Sequence, residues 1–207
     1  MKRLFVSVVA LAATMAFTSC GGITFTGLEK DLTIDLGDRT AALDGVSAKG
    51  KKDIPKEDIT IVGLDYVGVG KLTYTAKEDS EEATDTRNVT IKPDKLFGNY
   101  GVSDVDLING GTPLTYNVEA KKSATETKLV ITNWGGQGWD ATFVGNGSSM
   151  KLTMESIDLG NGTASVTGTA EYHTLNNGYE IYQVEYTIVY ADGTTPTEKY
   201  KATLSKR

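Results

Sequence analysis

The chain has 207 residues and a formal charge of −6, with one histidine and one cysteine. The acidic balance argues against nucleic-acid binding, because phosphate backbones are bound by clustered Lys and Arg. A single cysteine cannot form a disulfide framework, and a single histidine excludes a multi-histidine metal site. The 23 glycines, ten tyrosines and many Thr and Val residues favour short strands and tight turns, and no later segment keeps a helical period. The sequence therefore predicts an all-β protein.

The N-terminal segment has the layout of a secretory signal peptide. Lys2 and Arg3 form a charged region, and an apolar run follows over residues 4–16. That run is too short to span a bilayer, which takes about 20 residues. We predict a signal peptide over residues 1–19, and its removal leaves 188 residues with a formal charge of −8.

Cys20 stands directly after this segment, at the end of the stretch Phe17-Thr18-Ser19-Cys20. The stretch resembles the lipobox of bacterial lipoproteins, although Leu and Ala or Ser are more usual than Phe17 and Thr18. The resemblance implies that Cys20 carries fatty-acyl chains such as palmitate, and two or three chains hold a protein firmly on a membrane. A buried small hydrophobe or a free thiol is the other interpretation of Cys20, but an unpaired thiol is unusual in an exported protein.

The same resemblance implies an address in the cell. We expect a lipid-anchored protein of the outer membrane that is displayed at the cell surface. Residues 21–24 lack the acidic residues that often follow the cysteine in surface-exported lipoproteins, which leaves a periplasm-facing protein open. Residues 20–30 are interpreted as a lipid-anchored spacer.

Residues 31–93 alternate apolar and polar side chains in short runs, as half-buried strands do. Their order resembles the small immunoglobulin-like modules of bacterial surface proteins. The residues that carry the resemblance are Leu36-Gly37, 46–48, 70–76 and 87–91. The resemblance implies an immunoglobulin-like sandwich and says little about function. An acidic run at 78–82 is interpreted as a solvated hairpin loop, with cation binding as the alternative.

Pro93, which has polar neighbours at the end of a strand pattern, marks the predicted boundary between two domains. Beyond it, residues 94–207 contain about eight alternating segments. Asn-Gly or Asp-Gly pairs, which favour tight hairpins, occur at 146–147, 161–162, 177–178 and 192–193. Antiparallel strands joined in this way predict a small meander barrel, because closure removes exposed edges; a flattened sandwich is the alternative.

Residues 96–100 and 129–134 resemble the C-terminal module of Bacteroidetes cell-surface lipoproteins of unknown function. Those proteins pair an immunoglobulin-like domain with a lipocalin-like barrel, and the resemblance covers nearly the whole chain after the signal peptide. Because they often accompany polysaccharide-capture and import systems, the resemblance implies a glycan and an envelope transport complex as partners.

Catalytic motifs are scarce in the sequence. It lacks the Gly-x-Ser-x-Gly elbow of hydrolases and the phosphate-binding loop of nucleotide hydrolases. His173 is interpreted as an ordinary surface or interface residue. The acidic pairs Asp104 with Asp106 and Glu81 with Glu82 have the residue types of a glycosidase, but any acidic protein offers such pairs. We therefore expect no enzyme, no cofactor and no bound metal.

Both tryptophans lie in the glycine-rich stretch 133–139. Trp combines a large apolar face with a polar edge, which suits stacking on sugar rings. Trp134, Trp139, Asn133 and Gln137 are therefore the candidate ligand-binding residues. Alternatively the tryptophans close one end of the barrel, which is favoured for Trp139 and open for Trp134. The leading hypothesis is a non-enzymatic envelope protein that binds a glycan, and its rival is a structural or adhesive protein.

Overall fold

The computed structural model describes residues 22–159, 164–175 and 178–207. The predicted signal peptide and the predicted lipidation of Cys20 lie outside the described residues. Two small sheets come first in the chain, and a closed eight-stranded barrel follows them. This architecture confirms the predicted all-β class, with a sandwich followed by a barrel.

The sandwich is built from seven strands, one α-helical turn and a short 3-10 helix, Lys56–Asp58, between the fourth and fifth strands. The strands and the α-helical turn are β1 (Thr24–Thr26), β2 (Leu32–Asp35), α1 (Arg39–Ala42), β3 (Ser47–Lys49), β4 (Asp53–Ile54), β5 (Thr60–Val62), β6 (Gly68–Glu78) and β7 (Glu81–Lys92). The strand orders are β1-β3-β4 and β2-β7-β6-β5, and only β2 and β7 run parallel. Alternation along β6 places Leu72, Tyr74 and Ala76 in the core, where none has exposed surface.

The ordered fold begins inside the segment predicted as a spacer, residues 20–30. Strand β1 pairs with β3, and Ile23 and Leu28 on either side of it are buried. A three-residue alternation around Phe25 is too short to be distinguished from a linker in the sequence. Its pairing with a strand more than twenty residues later decides its conformation.

The barrel contains the remaining eight strands. They are β8 (Gly98–Asp106), β9 (Leu114–Lys122), β10 (Lys128–Trp134), β11 (Trp139–Gly145), β12 (Lys151–Asp158), β13 (Ala164–Leu175), β14 (Gly178–Tyr190) and β15 (Glu198–Lys206). Each is antiparallel to its neighbours, and the pairing of β15 with β8 closes the barrel. Inward side chains such as Leu129, Phe143, Val166 and Val184 have no exposed surface, so the middle of the barrel is a packed core.

One end of the barrel, which we call the proximal end, rests on the sandwich. There the Tyr172 hydroxyl donates to the carbonyl oxygen of Asp65 (2.8 Å) and accepts from the N–H of Val67 (2.9 Å). The N–H of Gly147 donates to the carbonyl oxygen of Val67 at 2.9 Å. A Cβ at Gly147 would lie 2.1 Å from the carbonyl oxygen of Val69. Because the two backbones touch here, a glycine is required and the barrel is held in one orientation.

The connection between the domains is part of this packing. Between Lys92 and Gly98 the chain forms a short 3-10 helix, Asp94–Leu96. Leu96 is fully buried, and its carbonyl oxygen accepts a hydrogen bond from the Tyr100 hydroxyl at 2.7 Å. The connection therefore closes the proximal end of the barrel and does not act as a free hinge.

The first described residues and the barrel lie at opposite ends of the sandwich. Gly22 and Ile23 border a shallow depression together with residues 81–83, at the tip of the β6–β7 hairpin. The barrel contacts the other end of that hairpin, at Gly68 and Gly70. Strand β6 has 11 residues, which at about 3.3 Å each separate the two ends by roughly 35 Å. The distal end of the barrel, where β8 ends and β9 begins, lies farther away still.

Candidate functional site: the distal mouth of the barrel

The predicted ligand-binding stretch lies at the distal end, where β10 turns into β11. Trp134 and Trp139 pair across the turn. Trp134 has no exposed surface, whereas Trp139 is partly exposed. A role as an exposed stacking ring is therefore wrong for Trp134, and the alternative that it closes the barrel from inside is the one that the structure adopts.

A β-bulge at the end of β10 turns Trp134 inward. Leu129 and Ile131 point into the barrel, so regular alternation would continue with residue 133. The register of β10 against β11 shifts between Ile131 and Trp134, and Asn133 has a positive φ of 59°. The extra residue reverses the phase of the strand, and Trp134 takes the inward position.

The side chain of Asn133 holds this turn together. Its Nδ2 donates to the carbonyl oxygen of Asn117 at 2.9 Å, and its Oδ1 accepts from the N–H of Gly138 at 3.0 Å. Both amide atoms therefore hold the turn, and because the exposed side chain still has one N–H and one lone pair for a ligand, the role of Asn133 in binding stays a prediction. Gln137 is exposed on the same turn. The structure does not bring the four predicted residues together on one surface.

The distal end instead contains a polar and aromatic cluster that we call the mouth floor: Asp104, Tyr116, Trp134 and Tyr186. Asp104 is 5% exposed. Its Oδ2 accepts hydrogen bonds from the hydroxyls of Tyr116 (3.1 Å) and Tyr186. The Trp134 ring lies edge-on to both tyrosines, with ring centroids 6.4 Å from Tyr116 and 5.4 Å from Tyr186. One carboxylate thus lies among three buried or half-buried rings.

The strand pattern explains why a carboxylate points into the barrel. Tyr100, Val102 and Asp104 follow one another at every second position of β8, and the first two are buried. Strand β9 pairs with β8 so that Val102 lies opposite Tyr116. Sequence reasoning noted Asp104 only as half of an acidic pair with Asp106. Asp104 lies two residues after the apolar Val102 in an alternating strand, and this spacing is the signal that would have predicted an inward-pointing carboxylate.

Asp106 has a different task, although it shares a face with Asp104 in the strand pattern. Its Oδ1 accepts from the N–H groups of Ile108 (2.8 Å) and Asn109 (3.0 Å). These hydrogen bonds lower the pKa of Asp106 below its ordinary value. The carboxylate therefore orders the β8–β9 loop and is not a partner for Asp104 in acid–base chemistry.

Burial controls the ionisation of the mouth floor. It raises the pKa of Asp104, while the hydrogen bonds from Tyr186 and Tyr116 and a weaker contact from the Val105 N–H act in the opposite direction. Burial, together with the neighbouring Asp104, also raises the pKa values of Tyr116 and Tyr186. Both phenols therefore stay protonated and remain donors to the carboxylate.

Two polar atoms of the mouth floor have no hydrogen-bond partner among the described residues. They are Oδ1 of Asp104 and Nε1 of Trp134, and both are buried. A buried polar atom without a partner costs about 1–3 kcal/mol. One of the two atoms is an acceptor and the other is a donor, and both belong to the same cluster.

Around the floor, the strand ends form what we call the mouth rim: Leu114, Trp139, Tyr190, Glu198 and Tyr200. Each continues the inward phase of its strand. Tyr200 stacks on Tyr186 with centroids 5.0 Å apart, and its hydroxyl donates to Glu198 at 2.9 Å. Leu114 is 53% exposed, and the other rim residues are partly exposed. The rim therefore presents aromatic faces and one carboxylate to solvent.

His173 lies elsewhere, on the outer wall of the barrel. Its ring stacks on Tyr182 with centroids 4.6 Å apart, and its Nε2 lies 3.0 Å from Oε1 of Glu180. This arrangement agrees with an ordinary surface residue. Within residues 22–159, 164–175 and 178–207, no group of three or more His, Cys, Asp or Glu residues could hold a metal ion.

Comparisons with known proteins supply no further guide. No family model matches the chain, and no curated protein matches it either. In the part of the chain that the structure describes, no helix is long and apolar enough to cross a membrane.

Proposed function

We propose that the protein is a lipid-anchored, non-enzymatic protein of the cell envelope that binds an extracellular glycan at the distal mouth of its barrel. In this proposal Cys20 carries the anchor, the outer membrane is the site, and the barrel faces outward. The protein would serve an envelope apparatus that captures polysaccharides.

The proposal depends on the order of three parts along the molecule: the N-terminal segment, the sandwich and the barrel. Ile23 lies at the hairpin tip of the sandwich, and the barrel stands on the opposite end. An anchor only three residues before Ile23 would hold the hairpin tip against the membrane. The contacts of Tyr172 and Gly147 would then hold the distal mouth at the far side. A displayed binding surface requires this order.

The chemistry of the rim supports a glycan as the ligand. Sugars have apolar C–H faces that stack on aromatic rings and hydroxyl groups that bind carboxylates and amides. Trp139, Tyr190 and Tyr200 offer partly exposed rings at the mouth, and Glu198 offers an acceptor between them. Because side chains fill the middle of the barrel, we place the binding site at the mouth.

An array of neutral and acidic polysaccharides, probed with the full chain after the signal peptide, tests the proposal. We expect Trp139→Ala to weaken binding about tenfold, which corresponds to about 1.4 kcal/mol. Tyr182→Ala is the matched control, because Tyr182 is a partly exposed ring on the outer wall. A wild-type protein that binds no glycan on the array would contradict the proposal.

A structural or adhesive role is the second candidate, and one observation favours it. Leu107 and Ile108, on the loop next to the mouth, are 53% and 55% exposed, and exposed apolar side chains that lie together are typical of protein contacts. In that case Ile108→Ser should abolish association with an envelope partner. The glycan array would then show no binding by the wild type.

A further inference from the structure

We infer that the mouth floor is a subsite for one hydroxyl group of a neutral sugar, which donates to Oδ1 of Asp104 and accepts from Nε1 of Trp134. This inference rests on the proposed function and adds to it the class of glycan and the atoms that recognise it. It also changes the role of Trp134, from a stacking ring to a buried hydrogen-bond donor.

The two unpartnered atoms define the chemistry of the missing partner. Oδ1 of Asp104 needs a donor, and Nε1 of Trp134 needs an acceptor. A hydroxyl group provides both functions in a single atom with its proton. The hydroxyl protons of Tyr116 and Tyr186 both go to the other oxygen, Oδ2, and neither hydroxyl oxygen accepts from Nε1 of Trp134.

The charges at the mouth decide which sugars fit. Asp104 lies in the floor and Glu198 in the rim, so a uronic or sialic acid would bring a third carboxylate among them, and like charges in a desolvated site repel strongly. An amino sugar would satisfy Asp104 through its ammonium group, but it would leave Nε1 of Trp134 without an acceptor. A neutral sugar hydroxyl satisfies both atoms without adding charge.

The division between rim and floor fits the shape of a sugar. The ring of the sugar needs to reach only the partly exposed side chains Trp139 and Tyr200, while one hydroxyl enters the floor. The partly exposed Tyr200 ring stacks on Tyr186 of the floor, so the rim and the floor are in direct contact. Because Oδ1 of Asp104 and Nε1 of Trp134 are buried, binding requires rim side chains to move aside, a motion that partly exposed side chains make readily.

Isothermal titration with neutral trisaccharides of glucose, mannose, galactose and xylose, and with trigalacturonic acid, tests the inference. Trp134→Phe removes the N–H and keeps an aromatic ring. Asp104→Asn keeps an acceptor for the two tyrosines and replaces the other oxygen by a donor. Tyr182→Ala, on the outer wall of the barrel, is the control. We expect each floor variant to weaken neutral-sugar binding about five- to tenfold, with no change for the control.

Thermal melting of the free variants separates recognition from folding. Trp134→Phe places a smaller ring in a buried site, which costs stability, but it also removes a donor that has no partner, so its melting temperature should change by only a few degrees. Weaker sugar binding by a variant that is still fully folded at the assay temperature supports the inference. For Asp104→Asn, the same comparison of sugar binding with melting temperature tests the acceptor atom, Oδ1 of Asp104.

Three outcomes would overturn it. Neutral-sugar binding that survives both floor variants would remove the hydroxyl subsite and leave the proposed function standing. A crystal structure at saturating sugar in which a water molecule alone occupies both atoms would do the same. Failure of the wild type to bind any of the neutral trisaccharides would overturn this inference, and failure to bind any glycan of the array as well would overturn the proposed function with it.

Discussion

Truncation of Trp134 tests whether the mouth floor is core. Its indole has no exposed surface and packs edge-on against Tyr116, Phe143 and Tyr186, with centroids 5.4–6.4 Å away. Removing a buried aromatic side chain costs about 3–5 kcal/mol. Because the indole N–H is neutral, the loss of this unpartnered donor offsets about 1 kcal/mol of the cost, the lower end of the usual penalty. We therefore expect Trp134→Ala to lower the free energy of unfolding by about 2–4 kcal/mol.

Urea unfolding and thermal melting measure this loss. For a protein of this size, each kcal/mol lowers the melting temperature by about 2–4 °C, so a fall of about 4–16 °C is expected. Trp139→Ala is the control, because its ring is partly exposed and should cost less. A Trp134→Ala protein within about 1 kcal/mol of the wild type would refute the buried position of the indole.

Three further predictions concern the anchor, the junction and the carboxylate. Cys20→Ala should release the folded protein from membranes, and membrane fractions that retain it would exclude a lipid anchor. Gly147→Ala should open the domain junction to proteolysis, whereas Gly193→Ala should not: both glycines have φ near +70°, but a Cβ at Gly193 meets nothing within 4 Å. Burial raises the pKa of Asp104 above its ordinary value of 3.8, so the folded state holds this proton more tightly than the unfolded state. The stability of the wild type relative to Asp104→Asn should therefore fall as the pH rises from 3.8 through the raised pKa, and equal melting curves from pH 3.5 to 7 would contradict this.

The barrel could be predicted because the sequence signals for its hairpins lie within short stretches of the chain. Alternation at every second residue and Asn-Gly or Asp-Gly turns indicate hairpins without reference to distant residues, and hairpins need only neighbouring strands. The sandwich was harder at its edges. Strand β1 has three residues, and its conformation depends on pairing with Ser47–Lys49.

The mouth floor could not be predicted in the same way, because its contacts are long-range. Asp104 and Tyr186 are 82 residues apart in sequence and meet only because β15 closes the barrel between them. Trp134 faces inward because of a bulge, which alternation alone does not reveal. Sequence reasoning therefore left the orientation of Trp134 open, and the structure decides it in favour of a buried ring.

The two ends of the barrel differ in a way that packing alone does not require. At the proximal end the buried hydroxyls of Tyr100 and Tyr172 each have a backbone partner within 3 Å. At the distal end a carboxylate oxygen and an indole N–H have none among the described residues. The sandwich also contains such atoms, on Asp35 and Arg87, but Lys92 Nζ lies 2.7 Å from Oδ1 of Asp35, and Arg87 Nε donates to a backbone carbonyl. An apolar plug would close the distal end at lower cost. The polar floor there, at the end that an anchored protein would present outward, is what the proposed hydroxyl subsite would use.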